Sequence, residues 1–358
     1  TVSLGYDIMF GALIFSSSAM LCSRILFLKF VGTDIFKRRV LVLGAGEKAA
    51  SILSLRRWID RIGYTVVGFI DADCDSCGCA HPQITKEDKL IHLSDTKLLP
   101  KFADAERIDE IVIAVDDRRR CMPMHDLLDC KMQGVQIIDL VTFFEREIYK
   151  LKLDMIDPSW LIFCDGFQKG VIRRLTKRLF DIAVSGMILL VALPVMLITA
   201  LIIKLESRGP VFYTQERVGE NGNVFTVMKF RSMCQNAEKE GKAIWASKND
   251  ARVTRVGAFI RLTRIDELPQ LINVLRGDMS FVGPRPERPQ FVSQFNESIP
   301  YYNERHRVKP GITGWAQICY PYGASERDAF EKLQYDLYYV KNYSLFLDFM
   351  IMLQTAEV

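Results

Sequence analysis

Two adjacent carboxylates, Asp266 and Glu267, lie in the segment RIDELPQLINVL shortly before Pro269. Proline is accepted in the first turn of a helix and resisted inside it, so we expect a helix to begin at or just before Asp266. The ordinary interpretation of Asp266 is then an N-cap, although Pro269 has no N–H for such a cap to bind. The alternative is chemical, because a carboxylate at a helix N-terminus is an ionised, available nucleophile at neutral pH.

Basic residues surround this carboxylate pair. Arg261 and Arg264 precede it closely, and their charge is expected to favour the ionised form of Asp266. Glu267 is rotated by about 100° around the helix axis relative to Asp266, so we expect the two acids to have different roles rather than to share one proton. These residues alone are equally compatible with catalysis and with a network of salt bridges.

Three more basic residues lie in two short motifs. Lys229 and Arg231 belong to MKFRSM, and Arg285 stands in GPRP between two prolines that restrict its backbone. Arginine suits two-pronged contact with phosphate, whereas lysine supplies a point charge. These three residues are therefore candidates for contacts with the phosphate groups of a substrate.

A second candidate site is a G-x-G-x-x-A turn that contains Gly44 and Gly46 and connects a predicted strand to a predicted helix. Asp71 or Asp73 ends the next strand, where an acid that binds ribose is expected. The pattern predicts a nucleotide-binding fold, with Gly44, Gly46 and Asp71 as the cofactor-binding candidates. No tyrosine in the chain has a lysine four residues later, so the Tyr-Lys pair of short-chain dehydrogenases is absent. We therefore interpret this domain as regulatory or structural rather than as a catalytic NAD site.

The nine cysteines are an odd number and are scattered, which favours free thiols over a disulfide framework. The segment CDSCGCAH is the exception, because it holds four soft ligands in eight residues: Cys74, Cys77, Cys79 and His81. Such a cluster suits zinc, but one cluster without a second half is also typical of a flexible loop. Both interpretations stay open.

At 358 residues the chain is long enough for two buried cores and for membrane segments. Short apolar strands alternate with helical patterns over about 34–145, which predicts a small parallel α/β sheet. A less patterned linker follows over 146–170. The net charge is only +4, and no basic stretch carries the interleaved aromatic residues of a single-strand binder. We expect anionic lipid or phosphate partners and no nucleic acid.

The beginning of the chain has the character of a membrane helix. Residues 8–22 carry no charge and the apolar character continues to residue 31, which is long enough for one crossing. The basic cluster at 37–39 follows, so the positive-inside rule places the downstream chain in the cytoplasm. A signal peptide is the alternative, but there is no small-residue cleavage pattern. We interpret residues 1–33 as the end of an N-terminal transmembrane region and expect both ends of the sequence to be cut.

A second apolar segment, about 179–205, is more unusual. Pro194 lies near its middle, where proline removes a helix hydrogen bond and kinks the axis. Basic residues flank both ends, whereas a crossing helix is expected to show basic residues on one side. A helix that enters the membrane, bends at the proline and returns to the same face fits both observations. A crossing helix that tolerates its proline is the alternative.

Several long motifs then occur in order: KRLFD, the apolar segment broken by proline, GPVFYTQERVGENGNVFTVMKFRSM, IDELPQLINVLRGDMSFVGPRP and KPGITGWAQ. Together they closely resemble the bacterial sugar transferase family, the monotopic phosphoglycosyl transferases, over about 171–358. The preceding part resembles the large members of that family, which have upstream membrane helices and a Rossmann-like cytoplasmic domain. ERPQF and YPYGAS resemble the exopolysaccharide transferases associated with the PEP-CTERM/exosortase system.

The resemblance implies an α/β protein anchored in the bacterial inner membrane: a Rossmann-like parallel domain, then a mixed α+β monotopic catalytic domain with a proline-broken re-entrant helix on the cytoplasmic face. It implies transfer of a sugar 1-phosphate from a UDP-sugar to undecaprenyl phosphate, with release of UMP, as the first step of exopolysaccharide synthesis. The sugar is not indicated. The large members also make a homodimer an expectation.

The family's catalytic dyad falls on Asp266 and Glu267, which makes the aspartate the nucleophile that forms a covalent phosphosugar intermediate. The resemblance also implies Mg²⁺, with this dyad as its candidate ligands, to neutralise the diphosphate. The family's basic positions fall on Lys229, Arg261 and Arg285. Arg264 is a departure, because many relatives have a small polar residue there. Its side chain either adds a phosphate contact or is solvated, and we favour the second.

Two other functions compete with this interpretation. The glycine turn suits a membrane-anchored, NAD-dependent sugar-nucleotide oxidoreductase. A non-catalytic assembly scaffold with a vestigial pocket is the third hypothesis, against which the intact dyad argues.

Overall fold

The computed structural model describes residues 6–31, 37–53, 55, 63–71, 81–86, 90–91, 98–116, 122–156, 158–167, 170–234, 252–321, 323 and 325–357. The chain divides into two compact units, Thr1–Ile148 and Tyr149–Val358. Each unit has its own buried apolar core.

The first unit contains a five-stranded sheet in which all pairs are parallel and the strand order is β3-β2-β1-β4-β5. Its strands are β1 (Arg38–Leu43), β2 (Tyr64–Ile70), β3 (Leu90–Ile91), β4 (Glu110–Ile113) and β5 (Gln136–Asp139). The central strands are runs of buried valine, leucine and isoleucine, as expected for a parallel sheet that is covered on both faces. The predicted parallel α/β sheet is therefore confirmed.

The described helices of this unit are α1 (Tyr6–Val31), α2 (Glu47–Leu53), α3 (Pro82–Lys86), α4 (Leu99–Ala105), α5 (Met124–Met132) and α6 (Leu140–Ile148). Most of the apolar segment predicted to cross a membrane lies in α1, a helix of 26 residues. That it crosses stays a prediction.

The second unit begins with α7 (Pro158–Phe163) and α8 (Val171–Glu206) and continues with the strands β6 (Phe212–Val218), β7 (Val224–Phe230), β8 (Ser280–Val282) and β9 (Gly311–Thr313). Its other helices are α9 (Arg255–Leu262), α10 (Gln270–Arg276), α11 (Pro289–Ser298), α12 (Trp315–Cys319), α13 (Glu326–Asn342) and α14 (Leu345–Glu357). Strands β6 and β7 form an antiparallel hairpin whose turn holds Asn221 at φ 56° and Gly222 at φ 81°. Asparagine and glycine are the residues that adopt positive φ most readily, so the Asn221-Gly222 pair between two β-prone runs predicts a hairpin from the sequence, and this prediction is confirmed.

The helix α8 is long and apolar enough to cross a membrane. It is helical over all 36 residues, with Pro194 inside, and most of its apolar side chains are exposed. Both ends are anchored to the same unit. Near the start, Arg178 donates hydrogen bonds to the carbonyls of Val274 (2.5 Å) and Leu275 (2.7 Å) at the end of α10. At the other end, the Glu206 carboxylate accepts a hydrogen bond from the first turn of α9.

Candidate active site

The two carboxylates lie in a tight turn between α9 and α10. Arg264 has a left-handed backbone (φ 60°), and a single 3₁₀ turn, Ile265–Glu267, follows it directly. Leu268 and Pro269 have helical dihedral angles and lead into α10. The helical backbone therefore starts close to the predicted place, but Asp266 lies inside the first turn rather than at its cap. A left-handed arginine is unfavourable, and such strained residues cluster at functional sites.

Glu267 is held by two cations. Its Oε1 accepts hydrogen bonds from Lys229 Nζ at 2.7 Å and from Arg285 Nη2 at 2.9 Å, while Glu267 itself is 8% exposed. Burial alone raises the pKa of this carboxyl, but the charges of Arg285 and Lys229 outweigh burial and hold it well below its usual range. Burial and the neighbouring Arg285 lower the pKa of Lys229. Glu267 is therefore an ionised and fixed group.

Asp266 has a different environment. It is 9% exposed, and its carboxylate accepts no hydrogen bond from any group in the described part of the chain. Burial, followed by repulsion from Glu267, raises its pKa, against the opposing charges of Lys229, Arg261 and Arg264. The expectation that its surroundings favour the charged form was wrong, because desolvation outweighs the three cations. The result is a poorly solvated carboxylate with free oxygens.

Lys229 reaches Glu267 because α10 is fastened to strand β7. The side-chain amide of Asn273, in the middle of α10, accepts from Met228 N at 3.0 Å and donates to Thr226 O at 2.8 Å. This amide makes the hydrogen bonds that a neighbouring strand would make, and so satisfies backbone groups on the open edge of β7. Asn273 is 1% exposed. Asn273 was not among the predicted site residues, although a polar residue on the buried face of QLINVL is a signal that indicates it.

The loop that carries Arg285 is held by its carbonyls. Pro284 and Pro286 have no N–H, so only C=O groups remain to fix them. The amide of Gly311 donates to Pro284 O at 2.9 Å, Arg305 to Arg285 O at 2.9 Å and Arg217 to Pro286 O at 3.1 Å. Three consecutive carbonyls are thus satisfied, and Arg285 is positioned before any substrate arrives.

Arg305 is itself part of a buried ion pair. Its guanidinium lies 2.7 Å from the carboxylate of Asp336 and 2.6 Å from the hydroxyl of Tyr302. Burial raises the pKa of Asp336 to about 6, although Arg305 opposes the shift. Sequence analysis missed this pair, because no local pattern connects residues on two separate elements.

The other predicted phosphate contacts are placed differently. Arg231 is buried, and it donates to Ser207 and to the carbonyls of Arg208 and Ile203 at the end of α8. The structure does not bring it into contact with the carboxylate pair. Arg261 is half-buried in the last turn of α9 and acts on Asp266 through its charge. Arg264 is exposed, as expected of a solvated side chain.

The predicted magnesium ligands, Asp266 and Glu267, are of the chemical type that this ion binds. Oxygen is the ligand that Mg²⁺ prefers, and it is usually bound through one or two carboxylates together with substrate phosphates. Both oxygens of Asp266 and Oε2 of Glu267 accept nothing from the described residues, whereas Glu267 Oε1 is taken by the two cations. No cluster of three or more His, Cys, Asp or Glu side chains that could hold a metal occurs in the part of the chain that the structure describes.

The glycine turn of the first unit contains an acid of its own. Gly44 has φ 125°, and a Cβ there would lie 2.6 Å from Ala114 O, so glycine is required. A Cβ on Gly46 would collide with the carboxylate of Asp116. Asp71 directly follows β2 and is half-buried. Of the cysteine-histidine cluster, Cys74, Cys77 and Cys79 lie outside the described residues, and only His81 is described.

Comparison with known proteins gives a consistent result. A family model described as bacterial sugar transferase matches residues 172–358. The chain is 46% identical over 328 residues to an undecaprenyl-phosphate glucose phosphotransferase from Komagataeibacter xylinus, covering 89% of this chain and 58% of that protein. It is 44% identical over 231 residues to a UDP-N-acetylgalactosamine-undecaprenyl-phosphate N-acetylgalactosaminephosphotransferase from Aeromonas hydrophila, covering 64% of this chain and 54% of that protein.

A third relative is a UDP-glucose:undecaprenyl-phosphate glucose-1-phosphate transferase from Xanthomonas campestris pv. campestris, 43% identical over 341 residues. That alignment covers 92% of this chain and 67% of that protein. The chain therefore spans between about half and two thirds of the length of these relatives.

Proposed function

The chain belongs to the bacterial sugar transferase family, and from this premise we propose that it transfers a sugar 1-phosphate from a UDP-sugar to undecaprenyl phosphate and releases UMP. The observation that carries the proposal is the asymmetry of the carboxylate pair. Glu267 is clamped by Lys229 and Arg285, whereas Asp266 is buried and accepts no hydrogen bond from the described residues. The names of the relatives supply the substrate classes.

The asymmetry suits a two-step displacement. In the first step a carboxylate oxygen of Asp266 bonds to the β-phosphorus of the UDP-sugar, and the bond from that phosphorus to the bridging oxygen breaks, so that UMP leaves with the electron pair. In the second step an oxygen of undecaprenyl phosphate attacks the same phosphorus and the carboxylate of Asp266 leaves. A weakly solvated carboxylate has little hydration to lose on attack, which suits a nucleophile.

The two cations on Glu267 lie beside the proposed nucleophile. Lys229 Nζ and Arg285 Nη2 each donate one hydrogen bond to Glu267, which fixes their positions. Their positive charge is therefore preorganised where phosphate oxygens of a substrate would lie, and preorganised charge stabilises phosphoryl transfer. Glu267 thus acts as the anchor that orients these cations, and Arg261 adds positive charge beside Asp266.

Mg²⁺ is the cofactor of this proposal. Asp266 and Glu267 would hold it, and the bound ion would neutralise charge on the diphosphate and so ease the departure of UMP.

The re-entrant course of α8 belongs to the same proposal. From Arg178 to Glu206 a straight helix spans about 42 Å, more than the hydrocarbon core of about 30 Å. A crossing helix would therefore put its two ends on opposite sides of the membrane. Arg178 and Glu206 contact α10 and α9 of one compact unit, which supports a helix that bends at Pro194 and returns. A site at the interface reaches both a soluble UDP-sugar and a lipid-borne acceptor.

We place this protein in the bacterial inner membrane, with the site on the cytoplasmic face, as the initiating enzyme of an exopolysaccharide. A homodimer is part of the proposal as well. The basic cluster after α1 and the names of the relatives support the orientation and the acceptor.

Intact-protein mass spectrometry tests the central claim. Incubation with a panel of UDP-sugars, without acceptor, is expected to release about one UMP per enzyme and to add the mass of one phosphosugar to the chain. Addition of undecaprenyl phosphate is expected to remove that mass. Asp266→Asn is expected to show no adduct, whereas Glu297→Gln, at an exposed acid on α11, serves as the matched control. UMP release that is independent of Asp266 would refute the nucleophile assignment.

A further inference from the structure

A cavity of about 800 Å³ lies in the second unit, apart from the carboxylate turn. The start of α8, helix α7, strand β8 and helix α13 contribute to its walls. Neither carboxylate of the dyad lines it, nor do Lys229, Arg261 or Arg285. A molecule bound here is therefore not held by the proposed catalytic groups.

The polar floor of the cavity is a buried network. Lys177 Nζ lies 2.7 Å from Asp348 Oδ2 and 3.4 Å from Asp181 Oδ1. Tyr339 donates to the other oxygen of Asp348 at 2.7 Å, and Ser280 donates to Asp181 at 3.0 Å. These groups satisfy one another's hydrogen bonds and charges, so the floor is rigid and needs no ligand to complete it.

The rim carries an excess of positive charge. Outside the buried network, the basic lining residues are Arg174, Arg178, Arg307 and Lys309, and the acidic ones are Glu220 and Glu304. Arg307 is paired with Glu304. The side chains of Arg174 and Lys309 contact no acceptor among the described residues, which leaves their donors available for an anion.

Two of these cations converge on one point. Arg178 Nη2 lies 3.5 Å and Lys309 Nζ 3.6 Å from the position that a Cβ on Gly277 would occupy. Gly277 ends α10 with φ 98°, and its lack of a side chain leaves this space open. Like charges that approach one another favour an anion in the space between them.

The rest of the lining is apolar. Leu161, Ile162, Phe167 and Val340 contribute to it, and Ile162 is 76% exposed. On the adjoining start of α8, Val171 is 73% and Ile172 is 78% exposed. Apolar side chains next to basic groups, on the helix that enters the membrane, are typical of the lipid head-group region.

We propose that this cavity binds an anionic glycerophospholipid, with the phosphate between Arg174, Arg178 and Lys309 and the acyl chains along the apolar wall. Basic pockets beside membrane helices recognise such head groups. The lipid would tie the start of α8 to the end of α10, the helix that begins at the catalytic turn. It acts as a structural ligand and is not a substrate.

Native mass spectrometry of the full chain in non-ionic detergent tests this proposal. Phosphatidylglycerol is expected to bind at one copy per chain, and phosphatidylcholine with the same acyl chains more weakly. Arg174→Gln/Lys309→Gln is expected to weaken phosphatidylglycerol binding by about tenfold or more, because two charge-assisted contacts are lost. The control is Arg255→Gln/Arg327→Gln, which removes the same charge from exposed positions of the same unit.

Two further probes separate the sources of the phosphate. Inorganic phosphate is expected to leave the thermal unfolding midpoint unchanged, whereas phosphatidylglycerol raises it. Equal effects of the two, equal binding of both phospholipids, or an unaffected double variant would overturn the proposal. Tighter binding of undecaprenyl phosphate that is lost in the double variant would also overturn it, because the cavity would then be an acceptor site. No probe contains a sugar nucleotide, so the outcome is independent of the transfer reaction.

Discussion

The glycine turn of the first unit and the carboxylate turn of the second unit both lead into a helix, and both contain an acid. In the glycine turn, the carboxylate of Asp116 accepts hydrogen bonds from the amides of Glu47 (3.1 Å) and Lys48 (3.2 Å) at the start of α2. In the carboxylate turn, Asp266 accepts no such bond from the described residues, while Lys229 and Arg285 surround its neighbour.

This difference supports the carboxylate turn as the proposed reactive site. Amides at a helix start are where a bound phosphate is expected, and in the glycine turn the chain supplies its own anion there. The NAD-dependent hypothesis therefore gains no support from this turn, because a pyrophosphate would have to displace Asp116. The glycine motif indicates where the chain turns. Carboxylate oxygens that accept no hydrogen bond from the described residues, as in Asp266, indicate where a reaction with substrate can take place.

The largest expected effect separates the two acids directly. Asp266→Asn removes the proposed nucleophile with little change in volume, and we expect the rate of UMP release to fall by about 10⁴-fold or more. Asp116→Asn is expected to leave that rate within about twofold. Steady-state UMP release with both substrates measures both variants, and equal losses would refute the contrast between the two turns.

Local patterns predicted those parts of the fold that local chemistry determines. Buried apolar runs predicted the parallel sheet, Asn221-Gly222 predicted the hairpin, and Pro269 restricted where the helical turn at Asp266 can start. Each of these features depends on residues within a few positions of one another. The direction of the pKa shift of Asp266 was missed, because burial is a property of the folded unit rather than of the neighbouring arginines.

The supports of the site were not predictable from local sequence. Asn273 hydrogen-bonds to the backbone of Met228 and Thr226, which lie 45 and 47 residues away in the sequence. Arg305 donates a hydrogen bond to the carbonyl of Arg285, 20 residues away. Asp116 reaches the glycine turn from 69 residues away. Such contacts follow from the tertiary arrangement, so no periodicity or motif in one segment indicates them.

The buried pair that supports the carboxylate turn gives the next largest effect. Arg305→Leu leaves Asp336 without its partner, and we expect the free energy of unfolding to fall by about 3–5 kcal/mol at neutral pH. The pKa of Asp336 is raised to about 6 in the folded protein, so its contribution to stability is present at low pH and is lost as pH rises through 6. Without Arg305 that pKa rises further.

The loss in free energy of unfolding caused by Arg305→Leu should therefore be larger at pH 8 than at pH 5. Thermal unfolding of both proteins in detergent at the two pH values measures it. Arg305→Leu/Asp336→Leu serves as the control, because it removes both charges and is expected to recover part of the loss. A deficit that does not change with pH would contradict the assignment.

Arg285→Ala tests the cation clamp on Glu267. Loss of one preorganised donor to a phosphate typically lowers the turnover by about 10²–10³-fold, and we expect a loss near the lower figure because Lys229 remains. Arg285→Lys keeps the charge without the planar fork and should recover part of the rate. Arg276→Ala, at an exposed arginine on α10, is the control. Equal rates for alanine and lysine at position 285 would show that charge at this position has no effect.

The pH profile of the rate reports on Asp266 itself. Its pKa is raised and it must be ionised to attack, so the rate is expected to fall on the acid side at a higher pH than for an ordinary aspartate. Arg261→Gln removes one of the cations that oppose this shift. The acid limb should then move further upward in pH, with a rate loss of about tenfold or less at neutral pH. A limb that moves downward would contradict the proposed influence of Arg261.

The smallest expected effect concerns the glycine turn. Asp116→Ala removes the acceptor of two amides at a helix start, which typically costs about 1 kcal/mol. Gly46→Ala should destabilise the wild-type protein through its collision with Asp116, and less so in the Asp116→Ala background.

If Asp116 excludes a dinucleotide, Asp116→Ala cannot weaken the binding of NADH, measured by fluorescence titration. Weaker binding would instead make Asp116 part of a nucleotide site, and the difference between the two turns would disappear.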